Sequence, residues 1–288
     1  MKNLLNQVLR RNSAVPAFNF YNLESFHAIS AAARETGRPV IFAASESAIR
    51  YMGDAFLRDF AVKNGYVHLD HGRSFEAVKR AVALGFQSVM FDGSMLPFDE
   101  NVRLTRRAAD YARRRGVWIE AELGVLCGTE DGVRAPHCGF TDPAQAKKFV
   151  ELTGCDSLAL AIGTSHGAHK GNGRLRFDIL AEVRRLLPKT PLVLHGASQI
   201  PKKYARVLGL KDASGIPAAE IKKAVALGIN KVNVDSDARL AWMATVRRMF
   251  SDQFAVPAAG IDPRRILSAA TDEMTKLYVG EIRLICGK

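Results

Sequence analysis

Three histidines stand just beyond short apolar runs that read as buried strands: His71 in VHLDHG (67–72), His166 in LALAIGTSHG (158–167) and His195 in PLVLHGAS (191–198). Any one alone would more often be structural. Three in equivalent positions on well-separated strands indicate one constructed site, and three imidazoles around an open position are a recurrent arrangement for catalytic zinc. Asp70 directly precedes His71. A carboxylate beside a metal can shuttle a proton; its plainer role is to orient a histidine ring. Neighbours on a strand point to opposite faces, so one of the pair is expected to bind metal while the other faces substrate.

Asp92 and Glu122 end neighbouring strands. They read as outer carboxylates, as a second and weaker cation position, or as a structural hydrogen-bond network. Glu130 and Asp131 occupy a glycine-rich stretch. Acidic pairs there are usually turn formers; the sharper reading is a base carried by a mobile loop. Phosphate recognition is expected from backbone amides and small hydroxyls in GTSHGAHKG (163–171), with Lys170, in HGAS (195–198), with Ser198, and in NVDS (233–236). The remaining histidines read more blandly: His27 as surface or packing, His68 as facing surrounding helices, His137 and His169 as loop residues.

The elements that must position these groups repeat. VKRAVALGFQSVMFD (78–92) and IKKAVALGINKVNVD (221–235) share a K-x-AVALG core followed by a strand ending in aspartate. This reads as helix, glycine cap, short loop and buried strand. Strand-like runs number eight: 15–19, 39–44, 66–70, 88–92, 117–122, 157–162, 191–195 and 230–235. Amphipathic segments separate most of them, as at 24–36, 74–84, 98–115 and 142–153. Repeated units of this kind imply a parallel sheet with helical crossovers. Polar residues gather at the C-terminal ends of the runs, among them Asn19, Ser45, Asp70, Asp92, Glu120, Glu122, Asn233 and Asp235. In a barrel those ends converge on the catalytic face. The expected fold is α/β, a single (β/α)8 TIM barrel over 1–288, with a short N-terminal helix (Leu4, Leu5, Val8, Leu9) and a C-terminal helical extension. The least regular stretches are 124–141 and 198–216; the first has the length and glycine content of a lid.

Composition narrows the class. With 48% hydrophobic and 24% charged residues the chain is an ordinary globular one. No apolar run approaches the roughly 20 residues that span a bilayer, and the N-terminus lacks the pattern of a signal peptide. The net charge of +12 invites a nucleic-acid reading. The basic residues are spread over many helices without interleaved aromatics, so a solvated basic surface is favoured. An anionic substrate would also suit it. The four cysteines, Cys127, Cys138, Cys155 and Cys286, have no CxxC spacing and read as free thiols of a reducing compartment. Cys127 and Cys138 flank one loop, and a local disulfide between them is the alternative.

The segments LDHG, AELGxxxGxEDG, TDPxxAxxFVxxTGxDSLAxAIGTSHGxxKG, PLVLHGAS and KVNVDSDxRLA resemble the class II fructose-1,6-bisphosphate aldolase family, which includes tagatose-bisphosphate aldolases. The resemblance runs from Asn19 to DPRRIL (262–267). It implies a cytoplasmic, metal-dependent TIM-barrel lyase of glycolysis and gluconeogenesis, a homodimer or homotetramer, using Zn2+ and often a monovalent cation (Na+ or K+). It implies that His71, His166 and His195 ligate zinc and that Asp70 exchanges a proton at the cleaved bond. Glu130 matches the acid that moves the proton at the dihydroxyacetone-phosphate carbon. Asp92 and Glu122 match positions where a second cation sits in relatives. Asn19, Gly167, Lys170, Gly196, Ser198, Asn233, Asp235 and Ser236 match positions around the ketose and its phosphate. Ser45 and Arg264 are weaker matches for the other phosphate, Arg264 as a residue of a neighbouring subunit.

The implied chemistry is cleavage of the C3–C4 bond with a metal as Lewis acid and no lysine Schiff base. Two departures stand out: Cys127 where relatives usually have glycine, and Gln199 where a small residue commonly follows HGAS. NVDSD (233–237) is nearer the NIDTD form of fructose-bisphosphate enzymes than the NVATE form of tagatose-bisphosphate enzymes. A metal-dependent hydrolase on the same barrel would need an HxH pair on the first strand, and VPAFNF (15–20) has none. A basic nucleic-acid-binding barrel is the non-enzymatic alternative; nothing in the three-histidine set serves it.

Overall fold

The computed structural model describes residues 1–130, 132–135, 138–168, 174–251 and 262–287. Eight parallel strands close a barrel: β1 (Val15–Asn19), β2 (Ile41–Ser45), β3 (Val67–Gly72), β4 (Ser88–Phe91), β5 (Trp118–Leu123), β8 (Ser157–Leu160), β9 (Leu192–Leu194) and β10 (Ile229–Val234). They follow chain order around the barrel, and β10 pairs with β1 to close it. All eight runs read from the sequence are present. A two-stranded hairpin, β6 (Thr129–Glu130) and β7 (Val133–Arg134), lies outside the barrel. It falls inside the stretch expected to be an irregular loop.

Helices α2 (Leu23–Thr36), α3 (Glu46–Met52), α4 (Asp54–Asn64), α5 (Phe75–Ala83), α6 (Phe98–Arg113), α7 (Pro143–Thr153), α8 (Phe177–Leu186), α9 (Lys202–Leu208) and α10 (Ala218–Ala226) make the crossovers. Helix α9 occupies part of 198–216, which the sequence left without regular structure. Two longer helices, α11 (Ser236–Ser251) and α12 (Pro263–Cys286), complete the described chain. The repeated K-x-AVALG unit folds as read. Helices α5 and α10 each run to a glycine, Gly85 or Gly228, at φ of 86° or 113°, and then into β4 or β10. A left-handed φ is cheap only for glycine, so that residue ends the helix and turns the chain back into the barrel.

The barrel is filled rather than hollow. At its N-terminal end α1 (Lys2–Arg10) pushes Leu4, Leu5 and Val8 onto Val15, Ala17, Ile41 and Trp118. Met90, Ala159 and Val193 pack together inside the barrel. Outside the strands, a continuous apolar layer such as Phe18, Leu69, Val89 and Ile119 meets the helices. The C-terminal mouth, where the strand-end residues gather, is left polar. No helix among the described residues is long and apolar enough to cross a membrane.

Candidate active site

The local fold of β3 resolves how Asp70 and His71 serve one site. His68 and Asp70 are two apart and point into the barrel. His71 breaks the alternation with φ of 47°, and the pairing of β3 with β4 shifts register between Leu69 and Gly72. A bulge of this kind re-aims a side chain, here bringing the imidazole to the same mouth as its neighbour. Gly72 makes this feasible: a Cβ there would lie 2.6 Å from Leu69 Cδ2 and 2.7 Å from the Met90 carbonyl.

His71 lies against both of the other imidazoles. The His71 ring centre lies 4.5 Å from that of His195 and 5.0 Å from that of His166. Ligand atoms of Asp70, His71 and His195 all fall within 4.8 Å of one another, as do those of His71, Asp92 and Glu122. Two of these histidines are aimed by their other ring nitrogen. His71 Nδ1–H donates to Asp92 Oδ2 at 2.8 Å, with Glu122 Oε2 at 3.7 Å. His195 Nε2–H donates to Glu120 Oε1 at 2.9 Å. Nε2 of His71 and Nδ1 of His195 are thus the nitrogens a cation would take. Burial, then the nearby His71, lowers the pKa of His195 and keeps it neutral, as a ligand must be. Burial alone would raise Asp92, but hydrogen bonds from His71 and Ser94 hold it below the usual carboxylate range.

Asp70 is held from both sides: Asn19 Nδ2 donates to Oδ2 at 2.7 Å and Asn233 Nδ2 to Oδ1 at 2.8 Å. It is 2% exposed, and His195 Nδ1 stands 3.8 Å from Oδ1. Asn19, Gly167, Gly196, Ser198, Asn233, Asp235 and Ser236 line one cavity of about 190 Å³ with Asp70, His166 and His195. Thr129 and Arg239 line it too, and the sequence reading missed both. Arg239 Nε donates to Asp235 at 2.8 Å across one turn of α11; the i, i+4 spacing from Asp235 was the available signal.

Other expected residues lie elsewhere. Ser45 caps α3, accepting from the Ala48 amide at 3.3 Å, and does not line this cavity. Arg264, with its side chain 85% exposed, pairs with Asp262 at the start of α12. Glu130 is placed by its backbone in β6, next to Thr129 at the cavity; its side chain, like Asp131, His137, His169 and Lys170, lies outside the described residues. His27 is exposed on α2. A larger cavity of about 870 Å³, among Tyr66, Tyr111 and Arg113 at the opposite barrel end, holds none of the expected residues.

Two expectations are corrected. His68 does not face the helices: it is 1% exposed inside the barrel, bonded through Nδ1 to Ser88 Oγ at 2.7 Å and through Nε2 to Lys231 Nζ at 3.1 Å. The reason is the alternation that also turns Asp70 inward. Cys127 and Cys138 are not free thiols but a disulfide. An antiparallel bridge of Val125 with Gly139 brings their Cα atoms to 5.0 Å. Cys155 and Cys286 are free.

Beneath the site lies a buried charged layer that the strand-end residues alone did not single out. Lys231 Nζ reaches both oxygens of Glu120 at 2.9 Å, and Glu120 in turn holds His195. Both charged side chains are 1% exposed. Desolvation would raise Glu120, but Lys231 and the His195 hydrogen bond more than offset it, so the carboxylate stays ionised. Burial, then Lys231, pushes His68 down to about 3, leaving it neutral with Nε2 as acceptor.

A parallel barrel whose mouth gathers imidazoles, two of them oriented by carboxylates, has the build of a metal-dependent barrel enzyme. A sequence profile described as "Fructose-bisphosphate aldolase class-II" matches residues 1–288. The chain is 41% identical to a fructose-bisphosphate aldolase of Treponema pallidum, covering 99% of this chain and 95% of that one. It is 42% identical to one of Thermus caldophilus, covering 96% of each. Among solved structures, the YdjI aldolase of Escherichia coli K12 aligns with a TM-score of 0.79 at 30% identity, over 99% of this chain and 97% of that one. The chain belongs to the class II fructose-bisphosphate aldolase family, a family of metal-dependent lyases.

Proposed function

We propose that the protein cleaves, and in reverse condenses, a ketose 1,6-bisphosphate, with fructose 1,6-bisphosphate giving dihydroxyacetone phosphate and glyceraldehyde 3-phosphate. The observation that carries this reading is a carboxylate held by two amides beside three converging imidazoles: Asp70 between Asn19 and Asn233, next to His71, His166 and His195. That donor set suits Zn2+, which accepts three imidazoles and keeps a position for substrate. His71, His166 and His195 would hold it, with Asp92 and Glu120 fixing two of the rings and Glu122 beside His71, where a second, monovalent cation would sit. When bound, the metal supplies Lewis-acid polarisation of the ketose carbonyl.

The chain's own residues do the proton work. Asp70 accepts the proton of the C4 hydroxyl as the C3–C4 bond breaks, and its two amide partners keep the carboxylate aimed. The bonding electron pair stays on C3, and the aldehyde half leaves. Glu130, carried on the β6–β7 hairpin, returns a proton to that carbon. Gly167, Gly196, Ser198 and Ser236 take the ketose phosphate together with Lys170, beside the start of α11, where backbone amides favour an anion. Asn233, Asp235 and Arg239 face the sugar. The NVDSD motif favours fructose over tagatose bisphosphate. Ser45 and a neighbouring subunit's residue matching Arg264 would serve the second phosphate, in a cytoplasmic homodimer or homotetramer of single-domain chains spanning 1–288.

The test is cleavage of fructose against tagatose bisphosphate by the purified protein, with metal analysis of the same sample. Chelation is expected to abolish turnover. Asp70→Ala is expected to retain zinc and lose about 10²–10⁴-fold in kcat. Turnover that survives chelation, or an Asp70→Ala protein as active as wild type, refutes the reading.

A further inference from the structure

The segment after β9 carries His195, Gly196 and Ser198 into the cavity and then turns sharply. Ile200, 2% exposed, has φ of 52°, a conformation costly for a β-branched residue. Something outside the site must hold it. Ser198 accepts from the Ile216 amide at 3.0 Å, and Gly215 lies so close that a Cβ there would be 1.9 Å from the Gln199 carbonyl. On the other side is Asp237 of α11, fully buried. Its two oxygens accept from the amides of Gln199 at 2.7 Å and Ile200 at 2.6 Å. Behind it is Glu281 of α12, 2% exposed, which accepts from Gln199 Nε2 at 2.6 Å, so that both carboxylates hold Gln199. Two buried carboxylates that meet at one residue repel when both are ionised.

We propose that Glu281, remote from the reacting atoms, is a positioning residue: by holding the Gln199 side chain while Asp237 holds the Gln199 and Ile200 amides, it completes a clamp that fixes Ser198 and the 196–200 loop for the substrate phosphate. This rests on the aldolase reading given above. Burial, then the charge of Asp237, pushes Glu281 up to about 8. Glu281 forms no ion pair among the described residues. Lys203 and Tyr204 of α9 both bind Glu273 at 2.9 Å, and Lys202 and Lys276 line the same groove as Glu281 without an ion pair to it. Tyr278 of α12 is itself raised by burial and by neighbours that include Asp237. Below about pH 8 the pair holds its proton and the clamp is intact. Above it two adjacent buried carboxylates repel and the loop is released.

The experiment compares zinc-loaded wild type with Glu281→Gln between pH 6.5 and 9.5. A glutamine keeps the shape and the oxygen that accepts from Gln199, and cannot ionise. For wild type, KM for fructose bisphosphate is expected to rise about fivefold between pH 8 and 9, as the competent fraction falls, with kcat nearly held. For Glu281→Gln this rise is absent. An equal rise in both proteins overturns the proposal. Amide hydrogen exchange, corrected for intrinsic rate, supplies a readout independent of turnover. Gln199 and Ile200 are expected to lose protection at high pH in wild type only, and equal loss in both proteins overturns the clamp. A protein that cleaves no ketose bisphosphate sinks the aldolase reading instead, and exchange still tests the clamp. Should Glu281→Gln not fold, Gln199→Ala removes only the tie to Glu281: a several-fold higher KM at pH 7 with kcat held supports the proposal, and an unchanged KM refutes it.

Discussion

Lys231→Met probes whether the buried charged layer tunes the metal site or merely fills the barrel. Lys231 gives Glu120 two contacts of 2.9 Å inside a layer that is 1% exposed. Removing one partner of a buried pair typically costs about 3–5 kcal/mol, because the survivor is left uncompensated. Glu120 has another recourse here. His195 Nε2–H already donates to it at 2.9 Å, so a proton on His195 Nδ1 would rebuild an ion pair. That proton occupies the nitrogen the metal needs. The variant should therefore lose part of the stability just given and also bind zinc about 10–100-fold more weakly, a loss of about 1.4–2.7 kcal/mol. The sign with pH follows from competition between proton and metal for Nδ1: the deficit grows as pH falls toward 6 and shrinks as it rises.

The assay is competition with a chromophoric zinc chelator at several pH values, alongside urea unfolding of metal-free protein. The control is Lys231→Met with Glu120→Gln. With no buried carboxylate left to hold an imidazolium, stability should recover and the extra pH dependence should vanish. If Lys231→Met lowers stability but binds zinc with wild-type affinity at every pH, the layer is structural only and the argument fails.

Two further outcomes test local geometry. Thiol titration of the unfolded protein without reductant should count two free thiols, Cys155 and Cys286, and four after reduction; the bridge closes a loop with a sequence separation of 11, worth at most about 3 kcal/mol, and four thiols without reductant would refute it. Gly72→Ala forces a Cβ against the Met90 carbonyl at 2.7 Å, which a backbone partner cannot easily relieve. Urea unfolding should show a loss of about 1–3 kcal/mol and metal analysis a lower zinc content, while wild-type values for both would mean the β3 bulge is not tightly packed.

The barrel was legible because its strands are buried on both faces and each ends in a polar residue; periodicity reports both. The three histidines were legible for the same reason. The bulge at His71 was not: a φ of 47° arises from the fit of Gly72 between Leu69 and Met90, two contacts that no local spacing announces. The Cys127–Cys138 bridge was weighed and set aside, since what joins the pair is a backbone pairing of Val125 with Gly139. Ser45 and Arg264 were legible only through the motifs: on this chain Ser45 caps a helix and Arg264 faces solvent.

The buried layer under the site is the instructive failure, because its signal was present. His68 and Asp70, Glu120 and Glu122, and Lys231 and Asn233 are each two residues apart on strands with apolar neighbours between them. A period of two in polar residues on three strands of a closed barrel can only mean a polar interior. Unpaired, those groups would be expelled. Here a cation, a carboxylate and a neutral imidazole satisfy one another, Lys231 to Glu120 and Lys231 to His68, and the remaining carboxylate contact goes to His195. The same interior that closes the barrel thus fixes which nitrogen of His195 faces the mouth, so the metal site extends a full layer deeper than its ligands.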